Sequence, residues 1–356
     1  LIVFFLFKEG LGVFDKKPIE EGSSVVINAN NPLNKLSSKE VKNIFDQKII
    51  NWSEVNGSSD SIVLFHLDDI SDYFSEEQIG GNFENLPSCI NRLVDSLPGI
   101  IAFIPTKYIQ KDFKGKLLAF DNISFKEFFG GREWYPTAQP SAQLGVLPLI
   151  LGTLWVSLGA ILLALPLGLA AAIYLSEIAN DKIRRVIKPL IELLAGIPSV
   201  VFGFFGLVII VPLIQKVFDL PVGETGLAGS IILGIMALPT IITISEDAMR
   251  NTPRAMKEAS LALGASKWQT IYKVVIPYSI SGISAGAILG IGRAIGETMA
   301  VLMVTGNAAV IPHSILEPIR TIPATIAAEL GEAPNGGLHY KALFALGCIL
   351  FLITLC

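Results

Sequence analysis

The stretch Thr252-Pro253-Arg254-Ala255-Met256-Lys257-Glu258-Ala259-Ser260-Leu261-Ala262-Leu263-Gly264-Ala265-Ser266-Lys267-Trp268-Gln269, continuing to Val274-Val275-Ile276-Pro277, decides how the rest of this chain is read. It is polar, and strongly apolar segments stand on either side of it. Thr252-Pro253 supplies an N-cap followed by the proline that a first helical position tolerates, so a short helix is expected to begin there. Gly264 is placed to end that helix in a left-handed conformation. Ser266 and Gln269 fit a capping box, in which each side chain satisfies the other residue's orphan amide. A second short helix should follow, with Pro277 stopping it. Met256, Ala259 and Leu263 fall on one face of the first helix, an apolar ridge suited to a groove in a partner. Arg254, Lys257, Lys267 and Lys273 keep the loop in water.

Working outward, the 356 residues are 51% hydrophobic and only 16% charged, with a mean hydropathy of +0.58. That is too apolar for a soluble domain, and the apolar residues are clustered rather than spread. An integral membrane protein with a polar insert is expected. A net charge of -4 gives no basic face for nucleic acid. Cys89, Cys348 and Cys356 have no metal-ligand spacing, so neither a zinc site nor a disulfide framework is implied. Leu1 to Phe7 reads as the tail of a membrane helix, and the run from Leu343 stops before it is long enough to span.

Apolar runs at Leu147 to Leu175, Val186 to Ile214, Gly229 to Met249 and Tyr278 to Gly306 are each long enough to cross a bilayer. With the two runs at the ends, about six spans are expected. Lys182, Arg184, Arg185 and Lys188 fall on the same side as the opening loop when the spans alternate, which makes that side cytoplasmic. The long polar segment from Lys8 to about Gln143 then lies outside. It reads as a small α/β unit, with an alternating strand Val25-Val26-Ile27, a helix over Ser38 to Phe45, a turn at Asn51-Trp52 and an apolar strand Ile100 to Ile104. The domain boundaries expected are 1–14 for the end of a first membrane helix, 15–127 for the insert and 128–356 for the membrane domain.

Arg293 and Glu297 lie near the middle of the expected span after Pro277. A charge at that depth costs at least about 2.5 to 3.5 kcal/mol on insertion scales, so it marks function by default. Four positions apart on a helix, the two side chains share a face and can pair. Arg offers a planar fork of donors to a tetrahedral oxyanion, and Glu accepts a hydrogen bond from an anion that still carries a proton. Gly196-Ile197-Pro198-Ser199 and Leu238-Pro239-Thr240 look like breaks at comparable depth, tolerated where a pathway or protein covers the freed backbone. Pro198, Ser199 and Thr240 are therefore candidates for lining the route beside Arg293. Gly282-Ile283-Ser284-Ala285-Gly286 matches a nucleophile elbow but lacks the strand and His partner that this chemistry needs. With Gly290 it reads better as a small-residue stripe for close helix contact. No catalytic residue is assigned.

The opening stretch resembles the EAA loop of bacterial ABC-importer permeases. Gly152-Thr153, Pro166-Leu167-Gly168, Ala172 to Glu177, Ile191 to Val201, Arg293 to Thr298 and Ile326 to Glu329 resemble the phosphate-specific ABC importer permease family, PstC type, from about Phe128 to the end. That resemblance implies an all-α polytopic fold of the type I importer kind, carrying the small α/β insert, in the bacterial inner membrane. It implies a non-enzymatic permease subunit that passes inorganic phosphate, with Arg293 and Glu297 critical for transport and Glu258, Ala259 and Gly264 for coupling. The partners implied are membrane lipid, a homologous second permease, two cytoplasmic ABC ATPases and an extracytoplasmic phosphate-binding protein. No Gly-Lys-Ser/Thr phosphate loop occurs in this chain, so ATP and Mg would be used by the ATPase partner, and no cofactor is bound here. A permease for another oxyanion, sulfate or molybdate, or a non-transporting phosphate receptor are the alternatives.

The insert adds a second resemblance. Asn28 to Pro32, Leu36-Ser37, Ile44-Phe45, Ile49 to Val55 and Pro98 to Phe103 are similar to part of the periplasmic phosphate-binding protein family. Where that family carries a Ser-Gly-Thr cradle, this chain has Leu67-Asp68-Asp69-Ile70-Ser71-Asp72. Three carboxylates disfavour an anion by like-charge repulsion. A fold relic or docking surface is expected there rather than a working phosphate site.

Overall fold

The computed structural model describes residues 1–355. They fall into two compact units, one made of Leu1–Val146 with Ala333–Ala345, the other of Leu147–Glu332 with the chain from Leu346 onward.

In the first unit, β1 (Ser23–Ile27), β2 (Val63–His66), β3 (Ile100–Pro105) and β4 (Lys116–Leu117) form one sheet in the order β2-β3-β1-β4. β3 runs parallel to β2 and antiparallel to β1, which pairs antiparallel with β4. Side chains alternate across the sheet with period two, so Val25 and Ile27 meet Ile101 and Phe103 in one core. Val26 joins Ile100, Ala102 and Ile104 in another core on the opposite face. Helix Ser38–Phe45 covers the first face, its entry fixed by a capping box between Ser37 and Glu40. Helix Leu86–Ser96 covers the second. The expected strands, helix and Asn51-Trp52 turn are all present, and the α/β insert has a core on each side of its sheet.

The second unit is helical. Across the described residues, five helices are long and apolar enough to cross a membrane: Leu147–Ile178, Ser199–Phe218, Gly226–Arg250, Lys267–Gly296 and Leu338–Leu355. The centre of the unit is the Gly226–Arg250 helix. Ser230 Oγ on it donates to the Val156 carbonyl at 3.2 Å, locking it to the first span. On its other side the stripe Gly282, Gly286, Gly290 packs against Ala248, Ile244 and Ile241. A Cβ at Gly282 would stand 2.3 Å from that of Ala248, so only glycine permits the approach.

Several expectations about the spans are corrected. The run Val186 to Ile214 is not one span: Asp181–Ala195 is a separate amphipathic helix, and the apolar span begins at Ser199. Charges at Lys182, Arg184, Arg185, Lys188 and Glu192 recur too often for hydrocarbon, while Val186, Leu190 and Leu193 form an exposed apolar face. Gly196-Ile197-Pro198 is thus a junction between helices rather than a mid-span break. Pro239 does not break its helix, which runs unbroken from Gly226 to Arg250 with the ring buried among neighbours. Nor does Pro277 stop the helix before it. A π turn over Ile271–Val275 widens the backbone just ahead of the ring, and Lys267–Gly296 continues as one helical segment. The span expected over Tyr278 to Gly306 instead ends at Gly296, and a short helix Met299–Val304 resumes after it. The last apolar helix starts at Leu338, earlier than the run from Leu343, because His339, Tyr340 and Lys341 are accommodated in its first turns.

Candidate substrate pathway and coupling loop

Arg293 stands in the last turn of the Lys267–Gly296 helix, and Glu297 lies just outside it in extended backbone, φ -72° and ψ 135°. The break removes the shared helical face that a four-residue spacing would give. Accordingly, the expected ion pair is not made: neither side chain takes part in a salt bridge among the described residues, and both are half-buried. A guanidinium and a carboxylate are thus presented separately at one helix end.

The other candidates are placed by helix registers. Gly203 packs against Ala300 and Met303, and Gly206 against Val304, so the helix from Ser199 runs parallel to Met299–Val304. Ser199 begins that helix, with Pro198 as its cap. On the central helix, the contacts of Gly286 with Ile244 and of Gly290 with Ile241 set Thr240 at the level of the turn leading into Arg293. A cavity of about 480 Å³ opens at the break, lined by Gly296 and Thr298 and, across from them, Pro323, Ile326 and Ala327. The last three belong to the short helix Ile322–Glu329. Thr153 Oγ1 accepts the Ile322 amide at 3.0 Å, and Arg320 holds Glu329 at 2.6 Å, so this helix is fastened at both ends.

At the opposite end of the same long segment lies the loop quoted first. Helix Arg254–Ala262 is followed by Gly264 at φ +86°, the left-handed conformation expected of it, and Ser266 and Gln269 form their capping box before helix Lys267–Thr270. The start is shifted by one residue: Pro253 is the cap, and the Thr252 hydroxyl is buried against Ser279 Oγ at 3.2 Å. Glu258 and Ala259 are exposed. So are Leu263 at 89%, Trp268 at 66% and Tyr272 at 69%, an apolar surface flanked by Arg254, Lys267 and Lys273. Such a ridge is suited to a groove on another protein.

Two ion-pair systems that the sequence did not suggest hold this end of the unit together. Lys257 reaches Glu177 at 2.6 Å, joining the loop helix to a π turn, Tyr174–Ile178, at the end of the first span. Glu246 is 1% exposed and is met by Arg184 at 3.0 Å and Lys188 at 2.6 Å, which tether the amphipathic helix to the central one. Removing one side of a pair buried like this typically costs about 3–5 kcal/mol, because a charge is stranded. The partners lie 58 and 62 positions apart for Glu246 and 80 for the loop pair, so no local spacing could have revealed them.

Residues 164–356 match the model of the family "Binding-protein-dependent transport system inner membrane component". The chain belongs to this family. Among its relatives, the probable ABC transporter permease protein YqgH of Bacillus subtilis (strain 168) is 38% identical over 267 residues, covering 75% of this chain and 84% of that protein. The phosphate transport system permease protein PstC of Mesorhizobium japonicum is 40% identical over 261 residues, covering 68% and 78% respectively. Among solved structures, the MetNI methionine ABC transporter in an inward facing conformation aligns with 59% of this chain and 91% of that one, at 21% identity and a TM-score of 0.46. This family of inner-membrane transport permeases accounts for the five apolar helices. In the permease, the region outside the family match is mostly the α/β insert and the first part of the Leu147–Ile178 span.

Proposed function

We propose that this permease is the transmembrane subunit of an ATP-driven inorganic phosphate importer. The observation carrying this reading is the helix break at Glu297, which leaves Arg293 in the last turn and Glu297 just beyond it, neither in a salt bridge among the described residues, in a chain whose relatives include phosphate transport system permeases. The planar guanidinium gives two parallel donors to one edge of the anion. Glu297, facing the same substrate, accepts from the hydroxyl that phosphate retains near neutral pH. Sulfate has no such hydroxyl and would meet the carboxylate as a like charge. Pro198, Ser199 and Thr240 line the route at this level. Catalysis is not asked of this chain: ATP and Mg are used by two cytoplasmic ATPase subunits, whose grooves take the ridge around Glu258, Ala259 and Gly264. A homologous second permease completes the pathway, and an extracytoplasmic phosphate-binding protein delivers the anion.

The chain then divides functionally into 1–14, the end of a first membrane helix, 15–127, the insert on the extracytoplasmic side, and 128–356, the transport domain. Asp69 Oδ2 accepts the His66 amide at 2.9 Å at the turn where an anion cradle would be. A carboxylate of the chain itself takes that donor, which supports the insert as a fold relic or docking surface. The test is uptake into proteoliposomes holding the complete complex, with labelled phosphate and labelled sulfate at matched concentration. ATP-dependent phosphate entry with sulfate excluded is the expected result, and equal entry of both anions would sink the selectivity reading.

A further inference from the structure

In the first unit, the helix Ile2–Leu11 presents Leu1, Ile2 and Phe4 as exposed apolar side chains, and its Phe5 ring packs edge-on against Phe344 at 5.7 Å. Phe344 belongs to Leu338–Leu355, one of the five helices able to cross a membrane. Ile2–Leu11 therefore shares the hydrocarbon with it. The level at which this helix leaves hydrocarbon is marked by its own contacts. Gly12 lies against the Lys341 side chain, with Tyr340 one residue away, and Tyr and Lys at a helix end are the residues that anchor a span at the headgroup level. Two residues further on, Phe14 stacks on Phe125 with ring centroids 3.9 Å apart and meets Phe128 edge-on at 5.5 Å. The short helix Phe125–Gly130 is thereby pinned to the membrane exit.

That helix sets two exposed rings beside exposed cations. Phe125 is 60% exposed and Phe129 43%, their rings parallel and 6.3 Å apart, although Phe128 between them is fully buried. Beside them lie Lys126 and Arg132, both exposed and neither in a salt bridge among the described residues. They open onto a groove of about 780 Å³ that also receives Lys39, Lys42 and Lys48. Of these, Lys42 is held by Glu133 at 2.7 Å and Asp46 at 3.3 Å, and Lys48 by Asp46 at 3.1 Å; with Glu127 also on the lining, cations still outnumber carboxylates around the groove, in a chain whose net charge is -4. Aromatic rings with cations beside them, at the level of headgroups, match a lipid surface: rings enter the acyl boundary while cations meet lipid phosphates.

We infer that the Phe125–Gly130 helix and its basic rim form a lipid-docking surface, on which Phe125 and Phe129 enter the bilayer interface and Lys126 and Arg132 take the phosphates of anionic lipids. The insert is then held down on the membrane by its own edge.

The test places a nitroxide on Phe129→Cys, and separately on Phe125→Cys, in full-length chain with Cys89, Cys348 and Cys356 replaced by Ser. The chain is reconstituted as the complete complex in nanodiscs containing phosphatidylglycerol, with exposed Ser53→Cys as the aqueous reference. Collision with oxygen, which concentrates in lipid, is compared with collision with a water-soluble nickel chelate. Both sites should favour oxygen several-fold over the reference. In nanodiscs of phosphatidylcholine alone, or with Lys126→Glu and Arg132→Glu, that preference should fall. Nickel accessibility equal to the Ser53 reference would overturn the proposal. Exclusion of both reagents would overturn it too, since the patch would then be covered by protein. A preference for oxygen indifferent to lipid charge and to both reversals would remove the phosphate contacts.

Discussion

At Glu297 the backbone leaves the helix one residue after Gly296, and that change of conformation is what frees Arg293 from an intrahelical partner. Two substitutions separate the roles. Arg293→Lys keeps the charge but loses the planar fork, so phosphate flux should fall severely. Glu297→Gln removes the like charge and adds an amide donor, so the ratio of phosphate to sulfate uptake should drop even where total flux drops as well. Matched flux assays read both outcomes, and wild-type behaviour in both variants would move the anion path elsewhere. Gly264 makes a separate demand on its residue. At φ +86° a β-branched side chain is strained by about 1–3 kcal/mol, although nothing lies within 4 Å of the position its Cβ would take. Gly264→Val should therefore disturb the angle between the two loop helices rather than their packing. Its expected effect is loss of phosphate-stimulated ATPase activity with the permease still inserted, and normal stimulation would refute the role of this turn.

Among the elements, the short two-helix loop was legible almost to the residue because its signals are local: a glycine with one accessible role and a Ser–Gln box with fixed spacing. The long helices were legible as apolar runs, but their ends were not. Pro198, Pro239 and Pro277 look alike in sequence, yet they cap a helix, sit buried within one and follow a π turn, respectively. Which of these a proline does depends on the neighbours that cover its freed carbonyl. The tie between Lys257 and Glu177 was likewise invisible, and its test is a charge exchange. Breaking an exposed pair costs about 0.2–1 kcal/mol, whereas stranding one partner of a buried pair costs about 3–5 kcal/mol. This largely buried pair ties the loop helix to the end of the first span, so its loss should be read in coupling as well as in stability. Lys257→Glu alone should lower the phosphate moved per ATP hydrolysed, and Glu177→Lys added to it should restore much of that ratio. No recovery in the exchanged pair would mean that the contact does not transmit motion.

For the molecule as a whole, composition and clustering were enough to separate a membrane part from a polar one, and the runs Val25-Val26-Ile27 and Ile100 to Ile104 marked two strands of the sheet, while Val63–His66 and Lys116–Leu117 went unread. What the sequence could not reveal was how the insert's turn at Asp69 is wired, because capping an amide and repelling an anion require the same residue. If that carboxylate has replaced an anion cradle, titrating millimolar phosphate into the segment from Pro18 to Asn122 should give no heat of binding by calorimetry. Micromolar affinity would make the insert a capture module instead.

The segment Lys267–Gly296 has one last implication, for mechanics. Thirty residues in a single helix measure about 45 Å, with exposed Trp268 at one end and the Arg293–Glu297 break at the other. A beam of that length turns angle into distance: a tilt of about 10° imposed at the Trp268 end would swing the far end by roughly 8 Å, more than the width of a dehydrated oxyanion. Because the π turn lets Pro277 sit in the beam without breaking it, an event at the water-exposed loop need not be relayed from residue to residue. The loop and the helix break are opposite ends of the same piece.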